Sequence, residues 1–150
     1  MKRVLKFLGE SGFWARVGAF HVRVYRATGG RLGANLGGLP HLLLTTTGRR
    51  SGARRTVPLT YMRDGERFVL VASNGGSDRH PAWWLNLAAA PAATVQVSHD
   101  TFDVAARRAR DVEHARLWAA LKRFNPFYAQ YEHLTEREIP VVILERLTSS

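Results

Sequence analysis

His41–Arg55, HLLLTTTGRRSGARR, is the stretch around which the rest of the chain is arranged. An apolar run, Leu42 to Leu44, passes into three threonines, then Gly48, two arginines, Ser51, Gly52 and two further arginines at Arg54 and Arg55. Leucine and β-branched side chains suit a pleated, half-buried surface, and the two glycines bracket a tight connection, so the pattern predicts strand, turn, strand. Four guanidiniums around one turn repel each other unless something anionic sits among them. Arginine grips phosphate or carboxylate through paired hydrogen bonds, which makes the turn a candidate anion site. The plain alternative is a basic hairpin tip that keeps a sheet edge soluble.

Downstream, Arg55, Val57, Leu59 and Tyr61 alternate with Arg54, Thr56, Pro58 and Thr60 in a second strand through Arg63. Pro58 has no N–H to give to a ladder, which puts it at an edge or a bulge. Asp64-Gly65 is a hairpin signal, and Arg67–Ser73 is apolar on both faces, as a central strand is. Asn74-Gly75-Gly76 breaks it. His80-Pro81 starts a short helix that Ala90-Pro91 ends. Thr94–Ser98 and Phe102–Ala106 form a second hairpin about His99-Asp100. Asp111 can cap a helix through Phe124, with Leu117 and Leu121 on one face. Asn125-Pro126 interrupts it, an aromatic helical stretch follows, and Ile139–Leu144 closes the chain as a strand. Short strands joined by tight turns, with helices inserted rather than alternating, indicate an α+β fold built on an antiparallel sheet. The expectation is a six-stranded antiparallel barrel with peripheral helices, one domain over residues 1–150.

Upstream, residues 1–30 form an amphipathic helical segment. Phe13, Val17, Phe20 and Val24 recur at helical spacing, Trp14, His21 and Tyr25 flank them, and Lys2, Arg3, Lys6, Arg16, Arg23 and Arg26 supply positive charge. Packing on the barrel and lying on an anionic membrane surface both fit this pattern. No apolar run is long enough to span a bilayer. The chain has no cysteine and a formal net charge of +10, which excludes thiol chemistry and predicts anionic partners. The histidines are scattered without ligand spacing, and no metal site is expected. Ser77, Asp78 and His80 lie too close together for a hydrolytic triad, and GRRSG lacks the length and lysine of a phosphate-binding loop of the Walker type.

TTTGRRSG, PLTYMRDG, ASNGG and HPAWWLNLAAAP, in this order and spacing, resemble the deazaflavin-dependent nitroreductase family, split-barrel oxidoreductases that use coenzyme F-420. The resemblance runs from about His41 to the last strand. It implies a split β-barrel in which Arg49, Arg50 and Arg55 hold the phosphate and oligoglutamate tail of F-420. It further implies that the backbone at Val57 and Pro58 meets the ring, with Ser73, Asn74, Trp83 and Asn86 beside it. Thr60, Tyr128 and Tyr131 fall on positions that face the acceptor, and Asn125 stands where relatives have a tyrosine. Lysine is frequent in the family at the positions of Arg50 and Asn74. The implied activity is hydride transfer from reduced deazaflavin to a quinone, nitroaromatic or enone in the cytoplasm, peripheral to the membrane where the N-terminal segment touches it, with a homodimer as one assembly. An FMN oxidoreductase of the wider split-barrel group shares the fold. A non-catalytic cofactor-carrying or nucleic-acid-binding barrel also suits the charge, but the strands lack aromatic residues spaced between basic ones, so no nucleic acid is expected.

Overall fold

The computed structural model describes residues 12–148, with side chains from Arg16 onward. In chain order the elements are α1 (Gly12–Thr28), β1 (Asn35–Leu36), β2 (Leu39–Thr47), β3 (Arg54–Thr60), β4 (Met62–Asp64), β5 (Arg67–Val71), a 3-10 turn (Asn74–Gly76), α2 (Ala82–Ala89), β6 (Ala92–Val97), β7 (Asp100–Arg108), α3 (Asp111–Phe124), α4 (Phe127–Glu132) and β8 (Val141–Arg146). Every strand pair is antiparallel.

The hydrogen-bonded order is β3-β2-β6-β7-β8-β5-β4, with β1 on the start of β2. Its two ends, β3 and β4, are separated in the chain by Tyr61 alone, so the sheet curls until its ends meet through one residue. The described residues thus form eight strands, not the six expected. Arg54–Arg63 alternates as one run, but at Tyr61 its partner changes from β2 to β5, and pairing with distant strands leaves no local mark. The other extra strand, β1, turns into β2 through Gly37 and Gly38 at φ 60 and 79, the two positive values that a tight hairpin of the right twist needs. β3 has β2 as its one ladder partner among the described residues, which leaves Pro58 at an edge where its missing N–H costs nothing.

Alternation divides the core into layers. Inside the curl, Leu42, Leu44, Phe68, Leu70, Val95, Val142 and Leu144 pack with Trp83 and Leu87 of α2. On the outer face Val69, Val141 and Ile143 pack under Leu117, Leu121 and Tyr128 of α3 and α4. β5 contributes to both layers, which is why its sequence is apolar on both faces. Leu43, between two inward leucines, faces outward and is covered by Val22 and Tyr25 of α1.

That contact corrects the face assigned to α1. Val17 and Phe20 of the apolar stripe are 42% and 68% exposed, whereas Tyr25, placed at the flank, is fully buried. Its phenol explains the choice: it donates towards the carbonyls of His41 at 3.1 Å and Gln96 at 3.3 Å and accepts from the Ser98 N–H at 2.7 Å, tying the helix to β2 and to the β6–β7 turn. Lys2, Arg3 and Lys6, and the side chains of Phe13 and Trp14, lie outside the described residues. α3 has the expected bounds, but Asp111 sits at φ 53 and caps nothing; the preceding Arg110 is the cap residue and makes no side-chain cap bond.

A cluster of ion pairs clamps α3 to the β4–β5 hairpin. Asp64 accepts from Arg67 and, at 3.1 Å, from both terminal nitrogens of Arg116, while Glu113 accepts from Arg67 at 3.2 Å and Arg107 at 2.6 Å. The hydrogen bond from Arg116, then that from Arg67, lowers Asp64 to about 2, and Arg107 does most to lower Glu113 to about 2. Carboxylates with depressed native pKa values stabilise the fold above their unfolded values near 4 and lose that contribution as pH falls towards 2. We expect the thermal midpoint to drop between pH 5 and pH 2. Asp64→Asn should start lower at pH 5 and fall less steeply, and parallel curves would remove Asp64 from the acid response.

Candidate functional site

The β2–β3 connection is held by its own backbone. Gly48 N–H donates to the Ala53 carbonyl at 2.7 Å, Gly52 N–H to the Gly48 carbonyl at 2.8 Å, and Ala53 N–H to the Ser51 hydroxyl at 3.1 Å. Gly52 has φ +72, a conformation that favours glycine, and a Cβ on Gly48 would stand 2.9 Å from Ser51 Oγ and 3.2 Å from the Ala53 carbonyl oxygen, so a side chain there would press on the turn.

Register sorts the side chains that follow. Thr46 pairs with Arg55 and Leu44 with Val57 on the inner face, whereas Leu43 pairs with Pro58 and His41 with Thr60 on the outer face. Arg55 is thereby sent towards α2. Its neighbour Arg54 is sent away, and donates to Thr47 Oγ1 at 3.2 Å and Thr94 Oγ1 at 2.9 Å. Three of the four guanidiniums therefore remain for an anion.

Asn86 joins the turn to α2. It is 4% exposed, and its Oδ1 accepts from the Arg49 backbone N–H at 3.1 Å and the Arg49 guanidinium at 3.4 Å. Its Nδ2 donates to the buried Thr46 hydroxyl at 3.0 Å. A buried amide needs such partners, and here they fix the helix against the arginine loop.

The result is a cleft of about 340 Å³ between turn and helix, lined by Thr46, Gly48, Arg49, Arg50, Ser51, Arg55, Thr56, Val57, Ala82, Trp83 and Asn86. Six of the residues singled out in the sequence meet there: Arg49, Arg50, Arg55, Val57, Trp83 and Asn86. No Asp or Glu lines it. Among the described residues, the guanidiniums of Arg50 and Arg55 have no hydrogen-bond or ion-pair partner. Trp83 reaches both the cleft and the inner core at 8% exposure, while Trp84 beside it is only partly buried against that core.

The remaining sequence candidates lie elsewhere. Pro58 lies under α1, where a Cβ on Gly18 would come 3.9 Å from its Cδ. Thr60 Oγ1 lies 3.0 Å from His41 Nε2, on the outer face and about 20 Å along the strand from the arginine turn. Ser73, 7% exposed, and Asn74 belong to the loop between β5 and α2, with Asn74 Nδ2 donating to the Arg79 carbonyl at 3.1 Å. Tyr128 is buried in the outer core layer, its ring 6.2 Å from that of Tyr131, and burial pushes its phenol up to about 12 against the lowering effect of a hydrogen bond with Asn125. Asn125 itself ends α3, two residues before α4, its Oδ1 accepting from the Phe127 N–H at 3.2 Å. Neither tyrosine lines the arginine cleft. α4 does pack on the Asn74–Gly76 turn, where a Cβ on Gly76 would stand 2.8 Å from the side chain of Leu134.

Thr46 and Arg137 were not singled out from the sequence. Thr46 continues the inward parity of Leu42 and Leu44, a signal present in the stretch itself. Arg137 offers none, because its partners in the Ala72–His80 loop are 57 to 65 residues earlier. Among the described residues there is no group of three or more acidic or histidine side chains that could hold a metal ion, and no helix long and apolar enough to cross a membrane.

A family model described as F-420H(2)-dependent quinone reductase matches residues 16–146. An F-420H(2)-dependent quinone reductase of Mycobacterium tuberculosis is 42% identical over 130 residues, which cover 84% of this chain and 87% of that protein. A solved F-420-H2 dependent reductase shares 38% identity at a TM-score of 0.65, over 71% of this chain and 94% of its own. A second solved structure, described as a domain-swapped dimer, shares 34% identity at a TM-score of 0.68, over 88% of this chain and 97% of its own.

Proposed function

Since the chain belongs to the F-420H(2)-dependent quinone reductase family, we propose that it binds coenzyme F-420 along the cleft between the arginine turn and α2 and reduces quinones. Nitroaromatics and enones, which also accept a hydride, are further acceptors in this proposal. The observation that carries it is the donor set: Arg49, Arg50 and Arg55 on one cleft with no acidic residue in its lining. A phosphate followed by glutamate carboxylates is a line of anions, and planar guanidiniums bind such groups in pairs of hydrogen bonds. One phosphate, as in FMN, leaves part of this set unused. Val57 and Trp83 supply the apolar walls that a ring system needs next to its anionic tail.

Bound in its reduced form, the deazaflavin supplies the hydride. The chain supplies position, exclusion of water and hydrogen-bond donors. In this proposal the acceptor lies at the Ser73–Asn74 end, beside α4. An oxygen that gains negative charge there is stabilised by hydrogen bonds from phenols: burial raises the pKa of both Tyr128 and Tyr131, so each keeps its hydrogen as a donor at neutral pH. Assembly as a homodimer and contact of α1 with an anionic membrane through its exposed Val17 and Phe20 belong to the same proposal; a solved relative is a domain-swapped dimer.

Steady-state turnover of menadione with reduced F-420 tests the reading, with reduced FMN as the control donor. We expect turnover with the first and a rate at least tenfold lower with the second. Tyr128→Phe and Tyr131→Phe should each lower turnover by roughly tenfold or more with cofactor affinity unchanged. Equal rates with both donors would contradict the cofactor assignment, and wild-type rates in both phenylalanine variants would detach the phenols from the reaction.

A further inference from the structure

The loop from Ala72 to His80 carries Ser73 and Asn74 and leads the chain into α2, where Trp83 and Asn86 stand on the cleft. Its backbone turns sharply, with Asn74, Gly75 and Gly76 at φ 49, 64 and 81 in succession. Such a run folds the flanking carbonyls to one side, and three of them converge on Arg137. Its Nη2 donates to the carbonyls of Ala72 at 3.1 Å and Ser73 at 2.8 Å, and its Nε to that of Ser77 at 2.9 Å. Nη1 lies 3.2 Å from His80 Nδ1 and 3.4 Å from the Glu138 carbonyl oxygen. Ser73 and Ser77 are 7% and 3% exposed, so water has little access to the groups that this guanidinium satisfies. Burial lowers the pKa of Arg137 and the charge of Asp78 opposes that shift. One planar fork therefore holds both ends of the loop, beside the bond from the Ala72 N–H to the Pro140 carbonyl at 2.9 Å that continues the β5–β8 pairing.

We infer that Arg137 is a positioning residue for the cofactor: by gathering the Ala72, Ser73 and Ser77 carbonyls and His80 it sets the loop, and through the loop the place of α2 opposite the arginine turn. This rests on the reading of the cleft as the F-420 site. Three features follow from the geometry. The effect is on the whole cleft and not on the tail alone, so removing the fork weakens binding of tailed F-420 and of its tail-less deazaflavin core by the same factor. Lysine does not replace arginine, because a single ammonium cannot span carbonyls on both sides of the loop. A free guanidinium ion can enter the space that alanine leaves.

The experiment is a titration of oxidised F-420 and of the tail-less core, followed by tryptophan fluorescence, on wild type, Arg137→Ala and Arg137→Lys. Circular dichroism is recorded on the same samples. Wild type is expected to bind. Both variants should lose roughly tenfold or more in affinity for both ligands with the tailed-to-tail-less ratio unchanged, and millimolar guanidinium should restore part of the affinity of Arg137→Ala while leaving wild type unchanged. Wild-type affinity in Arg137→Ala, or full restoration by lysine, would overturn the positioning role and leave the cleft assignment standing. Absence of binding by wild type would remove the cleft assignment and the positioning role with it. If the alanine variant is unfolded by circular dichroism, the lysine variant decides: a tenfold loss supports the inference, and unchanged affinity overturns it.

Discussion

Arg50→Glu and Arg55→Glu should each weaken binding of polyglutamylated F-420 by roughly 30-fold or more, about 2 kcal/mol, and weaken binding of the tail-less deazaflavin core far less. Both guanidiniums lie on the cleft without a partner among the described residues, so they are free to receive phosphate or carboxylate. Reversal replaces an attraction by a repulsion at the same place, and a ligand that lacks the anionic tail does not meet it. Because both arginines are exposed, added salt should shrink the difference between the two ligands. Arg54→Glu is the internal control, since Arg54 bonds Thr47 and Thr94 on the other face. An unchanged ratio of affinities in both cleft variants, or an equal loss in Arg54→Glu, would show that the tail lies elsewhere.

Asn86 separates fold from binding. Asn86→Leu keeps the branched shape but leaves the Arg49 N–H and the Thr46 hydroxyl, partners at 3.1 Å and 3.0 Å, unanswered in a buried place. The expected cost is about 1–3 kcal/mol of stability, with cofactor affinity lowered at least tenfold as the turn loosens. Asn86→Asp keeps an acceptor for the Arg49 N–H and guanidinium, so its stability should stay nearer that of wild type. It also puts a negative charge in the anion cleft, and affinity for the tailed cofactor should fall by roughly ten- to a hundredfold. Denaturant midpoints and fluorescence titrations on the two variants check this. If Asn86→Asp binds tailed cofactor as wild type does, the cleft does not receive an anion.

Much of this site is legible in one stretch of sequence because its determinants are local. Gly48 and Gly52 set the turn, and strand parity from Leu42 onward sends Thr46 inward; the same parity sends Arg55 towards α2 and Arg54 away from it. A buried amide in an apolar helix signals that it has a partner, and Asn86 finds it in the turn. What is not legible depends on contacts between distant segments. The division of β3 from β4 at Tyr61 is a change of partner strand, and the composition around it is continuous. The buried face of α1 is chosen by the bonds of the Tyr25 phenol to His41, Gln96 and Ser98 and not by its apolar stripe. Thr60 follows the outward parity of His41, a placement that the resemblance alone does not reveal. Arg137 acts on carbonyls, which every residue has, so no side-chain pattern marks its partners.

In the proposed function this cleft receives a deazaflavin with a polyanionic tail. A titration of oxidised F-420 against FMN on the wild-type protein, followed by intrinsic tryptophan fluorescence with Trp83 on the wall of the site, tests it most directly. Saturable quenching by F-420 is expected at an affinity at least tenfold above that for FMN, and FMN affinity equal to or tighter than that for F-420 would overturn the cofactor assignment.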